Sequence, residues 1–541
     1  MLLFCLEGLL IMTEGLTFIF SKVLDNPDSF FQGYCFQNSD YVLGEDGARS
    51  YHAEVGSLIL PGQDGCYVSV VRKNADFEFS TDYSGNKKIF FFWSVDFWAV
   101  SNSLSLLVAH LRENNVRVSA NHSQLRLIGV GGGSSVLNQL SSFSTAVEGV
   151  FLAPALCTLS IGKEGVSLRP LDLRGELPYG EALSKFCEVW MARFQVLLRH
   201  GVEINSDLTG GVDSRAVVSL VIAAAKRAGV SLDHVILRCG SVAGDPVDLD
   251  IATEIAAALG FRLNAKSAVR RRRLSGSESY AAWKALCLGI YHPIYFPRFS
   301  LGYGAVSFGG GGGENHRRFY KNHSFDDLVR RVTRKVPGEA DSRKIEATMK
   351  AAMERIRTSA RGDFDELIAH YRHFRNRLHA GRSPQHSVVF NPLGSKYLED
   401  ASTLGGAERI RLGQVSYDVM ASMAPEVLDF RFDKAEKRLT PERREMLTLI
   451  KVADRPLAGR LYGNGVLEDQ VAVSPGSGSP LDHLWEEVWQ CQSSQVLRNF
   501  WGNSFVNAVV ADVKKARDNG RFGHAVDGQN ASALLASAMV L

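Results

Sequence analysis

The stretch Leu208 to Arg215, LTGGVDSR, places two adjacent glycines, an acid and two hydroxyl residues directly in front of a long apolar run. A glycine loop that opens a helix is an anion site, because unpaired N–H groups point outward and the helix dipole favours negative charge. Glycine lets the backbone come close to a phosphate. The loop amides, with the hydroxyls of Thr209 and Ser214, can hold phosphate oxygens. Asp213 is itself an anion and belongs beside phosphate only with a divalent cation between them. The loop contains no lysine, so it is not the Gly-Lys-Ser/Thr loop of nucleotidases that remove a terminal phosphate.

Such a loop needs a strand in front and a helix behind. VEIN, from Val202, reads as the strand, and the apolar run ending near Gly229 as the helix. A strand HVILRC and a helix VDLDIATEIAAALG follow, the helix closed by Gly260. Asp248 and Asp250 open that helix, where the dipole favours acids, so capping accounts for both. Before the loop, Leu183, Phe186, Trp190, Phe194 and Leu197 recur at helical steps between Glu181 and His200. Strands alternating with helices predict a parallel, doubly wound α/β sheet. From Thr17 to Leu171 the pattern is different. Short runs such as TFIF, CYVSVV, KKIFFFWSV, CTLSI and VSLRPL predict a β-rich layer with few helices, SLSLLVAHLREN being one. The Gly129 to Gly133 run has no following helix with a lysine and reads as a turn. Charged helical sequence runs from Asp326 to Arg382, and the remainder to Leu541 is mainly helical. Arg375 and Arg377 there could bind a carboxylate or simply face solvent.

A chain of 541 residues exceeds one core, so two domains are expected. Its net charge of +3 gives no nucleic-acid surface, and Arg270 to Arg273 reads as a solvated loop. Eight scattered cysteines, without metal or redox spacing, suit a reducing cytoplasm. The apolar start is interrupted by Glu7 and Glu14 with no preceding basic residue, which argues against a signal peptide or membrane span. Met12 is an alternative first residue.

LTGGVDSR resembles the pyrophosphate-binding loop of the ATP pyrophosphatase superfamily, with Thr209 in place of its first serine. Three further stretches resemble the asparagine synthetase branch: SFGGGGGENHRRFY from Ser307, FNPLGSKYLEDAS from Phe390, and MAPEVLDFRFDKAEKR from Met423. The resemblance implies ATP and Mg2+ as cofactors. It implies that Leu208, Thr209, Gly210, Gly211, Asp213, Ser214, Gly312 and Gly313 hold the nucleotide, and that Asp213 and Glu314 bind the metal, Glu314 replacing the family's aspartate. It assigns the phosphate-stabilising lysine to Lys434, with Lys437 as the alternative. It further implies a degenerate class II glutamine amidotransferase-like domain of the Ntn-hydrolase type over residues 12–172, and a synthetase domain over 180–541 with a helical C-terminal part.

The amidotransferases of this family use an N-terminal cysteine to release ammonia. Here position 2 is leucine, Thr13 follows Met12, and Cys5 would serve only after trimming. The amine is therefore expected from the substrate itself, as in the similar β-lactam synthetases and lasso-peptide macrolactam synthetases. The resemblance puts Gly311 where β-lactam synthetases carry a tyrosine and asparagine synthetases a glutamate, and a side-chain-free loop suits a bulkier acyl donor. The resulting expectation is an AMP-forming carbon–nitrogen ligase that adenylates a carboxylate, such as that of a precursor peptide handled with a companion leader peptidase, and closes a lactam. Neither nucleic acid nor membrane is expected as a partner. A β-lactam synthetase, an asparagine synthetase-type amidotransferase and a silent scaffold are the alternatives. Tyr291 and His292, in LCLGIYHPIYFP, could accept the amine proton or serve packing.

Overall fold

The computed structural model describes residues 13, 15–130, 135–172, 177–240, 246–269, 271–358, 365–453, 459–463 and 478–541. Cys5, Met12, Gly131 to Gly133 and Arg270 lie outside the described residues. The protein is mixed α/β, with three sheets among the described residues.

The alternating N-terminal runs form two sheets. One is antiparallel, with Ile19–Ser21, Trp98–Ser101, Phe90–Trp93 and Val150–Leu152 in that order. The other runs Gly165–Pro170, Cys157–Gly162, Asp76–Thr81, Asp64–Lys73, Ser29–Gln37, Asp40–Leu43 and finally Leu461–Tyr462, which joins in parallel from far along the chain. Their facing sides meet over Phe18, Phe20, Val68, Phe79, Trp98 and Leu159, so every second residue is buried between the sheets. The expectation of few helices missed Gly44–Val55 and His122–Gly129. The first of these buries only Gly47 and Tyr51, so it carries no apolar stripe that a sequence could display.

The helix Leu104–Glu113 lies directly on the four-stranded sheet and Gly44–Val55 on the seven-stranded one, and later segments extend both layers. Phe90, Ala99 and Leu152 of the four-stranded sheet pack into a core shared with residues of the helices Pro480–Cys491, Asn503–Asn519 and Ala525–Val540. Tyr34, Phe36, Tyr41 and Leu43 of the seven-stranded sheet share a core with the helix Tyr179–Arg199 and the parallel sheet. A buried ion pair crosses this second junction. Arg193 Nη1 lies 2.5 Å from Asp64 Oδ2, Arg193 Nε donates to the Asn38 carbonyl at 2.7 Å, and Ser395 Oγ donates to Asp64 Oδ2 at 2.9 Å. The guanidinium stacks 4.5 Å from the Trp190 ring. Arg377 is 1% exposed and donates to the carbonyls of Gly85 and Ala153, both at 2.9 Å. It therefore pins the sandwich and is neither a carboxylate ligand nor a solvated residue.

The third sheet is wholly parallel and ordered Arg262–Leu263, Val235–Arg238, Glu203–Asp207, Ala305–Phe308, Val389–Phe390. The chain moves outward in one direction from Glu203–Asp207 and then returns to that strand's other side. At such a reversal the loops leaving two neighbouring strands splay apart and open a crevice at their carboxyl ends. Here those loops are the ones after Asp207 and after Phe308.

Several histidines are buried in the neutral form. Burial pushes His292 down to about 3 and His316, His370 and His386 down to about 4. A base depressed in the folded state adds stability above its unfolded pKa, near 6.5, and loses it as pH falls towards the folded value. Unfolding midpoints are therefore expected to hold steady above pH 7 and to fall from pH 6.5 towards 4. His292→Phe should flatten that slope by about 1.4 kcal/mol per pH unit, measured by urea denaturation at stepped pH.

Candidate functional site

The crevice is a cleft of about 660 Å³. Its floor is formed by Thr209, Gly211 and the start of the helix Val212–Ala228, whose first amides have no acceptor within the helix. The loop is internally braced. Thr209 N donates to Ser214 Oγ at 3.0 Å, Gly211 N to Thr209 Oγ1 at 3.1 Å, and Gly210 N to Asp248 Oδ1 at 2.8 Å. Asp248 thus reaches out of its own helix to hold the glycine loop. Asp248 and Asp250 stand in the helix's first turn, as expected of acids favoured by the dipole, but Pro246 holds the N-cap position and no side-chain cap bond forms there. Leu208 also departs from expectation. Its amide donates to the Arg238 carbonyl at 2.9 Å, so the sheet ladder runs one residue past the strand and that N–H faces away from the cleft.

The second glycine loop forms the adjoining wall. Gly309, Gly310 and Gly311 line the cleft, whereas Gly312 and Gly313 stand behind it. Gly312 has φ +92°, and a Cβ on Gly313 would lie 2.3 Å from the Asp213 carboxyl carbon. These two positions therefore let the loop reach Asp213 and carry Glu314 towards it. Between the two acids lies Arg317, which gives Asp213 two bonds, at 2.7 and 2.6 Å, and Glu314 one at 3.1 Å. Tyr371 OH donates to the other Glu314 oxygen at 3.2 Å, from a π-helical turn, Tyr371–Asn376. Gly311 does not widen the cleft as expected, because a Cβ there would fall 2.8 Å from Asn391 Oδ1, and that amide already fills the space.

The third wall comes from residues 427–443. Arg215, the last residue of LTGGVDSR, is fully buried and donates to the carbonyls of Val427, Phe430 and Arg431 while stacking on the Phe432 ring. Asp433 N donates to the Gly210 carbonyl at 3.1 Å, which ties this segment to the phosphate-type loop. A short turn, Ala435–Lys437, then brings Lys437 to the cleft, 2.6 Å from Asp433 Oδ2, while Lys434 is exposed and does not line it. Of the two lysines named from sequence, the alternative is the one placed with Asp213 and Glu314.

Tyr291 and His292 part company. Tyr291 OH is 2.6 Å from His379 Nδ1, and His379 lines the cleft, so Tyr291 stands one residue behind its wall. Burial, with Arg375 and Arg382 beside it, pushes His379 down to about 3, so the ring is neutral and shares a hydrogen bond with Tyr291 through Nδ1. His292 is buried away from the cleft, with its amide on the Asn138 carbonyl and Nδ1 unpartnered, which makes it a packing residue.

Several cleft residues were not singled out from sequence: Asp207, Arg317, Asn391 and Arg443. Asp207 ends the central strand with its carboxyl open to the cleft, and the crowded walls push it up to about 6. Only Arg317 carried a signal, its spacing of three residues from Glu314.

Among the described residues no cluster of three or more metal-ligating side chains occurs. A cation at Asp213 and Glu314 would therefore take two carboxylates and complete its shell with water and phosphate oxygens. That donor set suits Mg2+, which keeps waters and is commonly held by one or two carboxylates together with substrate phosphates.

No protein-family model matches the chain, and no curated protein matches it. No helix among the described residues is long and apolar enough to cross a membrane.

Proposed function

We propose that the protein is an AMP-forming amide ligase of the asparagine synthetase-like ATP pyrophosphatase type, with a two-sheet N-terminal layer of degenerate glutamine amidotransferase descent. The observation that carries this reading is the meeting, in one cleft at the sheet's reversal point, of Asp213, Glu314 and Lys437 from three segments far apart in sequence. A scaffold has no need of that combination.

A carboxylate is a poor electrophile, and attack on the α-phosphate of ATP turns it into an acyl adenylate with release of pyrophosphate. The hydroxyls of Thr209 and Ser214 and the first amides of the helix Val212–Ala228 hold the polyphosphate, and Asp213 and Glu314 would hold the Mg2+ that offsets its charge. Lys437 lies where charge builds on the departing pyrophosphate. An amine of the same substrate then displaces AMP, and Asp207, open to the cleft and pushed up to about 6, suits acceptance of its proton. The rim aromatic Phe319, 37% exposed and lining the cleft, offers an apolar surface to the acyl donor, for which a precursor peptide closed in lasso fashion is our reading.

The test is to incubate the protein with ATP, Mg2+ and the peptides or acids encoded beside its gene, and to measure AMP, pyrophosphate and loss of water from the acid. ADP instead of AMP overturns the reading. A small lactam instead of a peptide ring moves it to the β-lactam type. Lys437→Ala is expected to slow pyrophosphate release by about a hundredfold, whereas Lys434→Ala stays within about twofold of wild type. Equal losses would return the role to Lys434.

A further inference from the structure

Arg317 is bonded to both acids of the cleft. Its two terminal nitrogens take both oxygens of Asp213, one of them also reaches Glu314 Oε1, and Nη1 donates to the Gly313 carbonyl at 3.3 Å. A guanidinium held in this way uses the lone pairs that a hard dication would need. Shortage of other cations does not force the arrangement: Arg375 and Arg382 also line the cleft and pair with no carboxylate among the described residues. The side chain remains 31% exposed and follows directly on the tight turn that carries Glu314.

Building on the ATP-site reading above, we propose that Arg317 is an internal counter-cation that occupies the metal's place between Asp213 and Glu314, so that the divalent ion enters with the polyphosphate and not before it. Without nucleotide, a dication entering here meets two carboxylates already shared with a fixed positive charge, and Lys437 is nearby. The polyphosphate reverses that balance: its oxygens complete the metal's shell and give the displaced guanidinium a bidentate partner. Arg317 is thus a positioning residue that sets the order of binding.

The probe is Mn2+, followed by electron paramagnetic resonance, alone and with α,β-methylene ATP. Arg317→Gln is expected to bind Mn2+ alone about tenfold more tightly than wild type, with Arg317→Lys between them. In the wild type the analogue should raise Mn2+ affinity by about tenfold, and in Arg317→Gln by much less. A structural role alone would not increase metal affinity. Equal Mn2+ affinity of the wild type and the variants overturns the proposal, Arg317→Lys deciding if Arg317→Gln does not fold. The metal-alone titration decides this point whatever the nucleotide does, whereas failure of the analogue to bind any of the three proteins overturns the ATP-site reading instead.

Discussion

Asp213→Asn is expected to lower AMP and pyrophosphate formation by about a hundredfold to a thousandfold while leaving the fold intact. The substitution keeps the shape of the side chain and removes its charge. Asp213 sits on the first turn of the helix Val212–Ala228, faces the second glycine loop and anchors Arg317, so every charged contact between the two loops passes through it. In the neutral amide, one carboxylate oxygen is replaced by an NH2 group that cannot bind a cation and repels the guanidinium. Quantifying AMP and pyrophosphate separately is the check, because a site that splits ATP elsewhere would keep forming ADP in the variant. Unchanged AMP formation would remove Asp213 from the chemistry.

The largest stability effect is expected at Asp64→Ala, a loss of about 3–5 kcal/mol in urea denaturation. Arg193 lies 1% exposed between the seven-stranded sheet and the helix Tyr179–Arg199, and Asp64 is its only acid partner among the described residues. Removing the acid strands a charge where water cannot reach it. Arg193→Met, which removes the charge together with its demand for a partner, should cost markedly less than Asp64→Ala. The reverse ranking would mean that the ring stacking and the Asn38 carbonyl, not the acid, hold the guanidinium.

The parallel sheet and both glycine loops were legible because each rests on local signals: apolar periodicity, a glycine after a helix, glycines before an acid. Asp213 and Glu314 come together as expected because the strands they follow are neighbours. Lys437 was less legible than Lys434, since a single short turn decides which of two lysines points inward, and nothing local marks that turn. Leu208 was misread for a similar reason: the ladder extends one residue past the strand, and register is a property of the neighbouring strand Val235–Arg238. Gly311 misled because the space beside a glycine depends on what packs there, and Asn391 lies eighty residues on. Nothing local in the sequence marks Arg193, Arg215 or Arg377 as buried, because their burial is set by elements distant in the chain.

The closing of the sandwich by late segments bears on how the protein is made. The two N-terminal sheets and their own helices are synthesised first, yet the core that the helices Leu104–Glu113 and His122–Gly129 share with those beyond Pro480 is completed last, and the seven-stranded sheet waits for Leu461–Tyr462 at its edge. At ribosomal speeds of about 5–20 residues per second, that interval lasts roughly 20–70 s, with part of the helical core incomplete and one sheet edge unpaired. The yield of the protein in cells is therefore expected to depend on translation rate as well as on the stability of the finished fold.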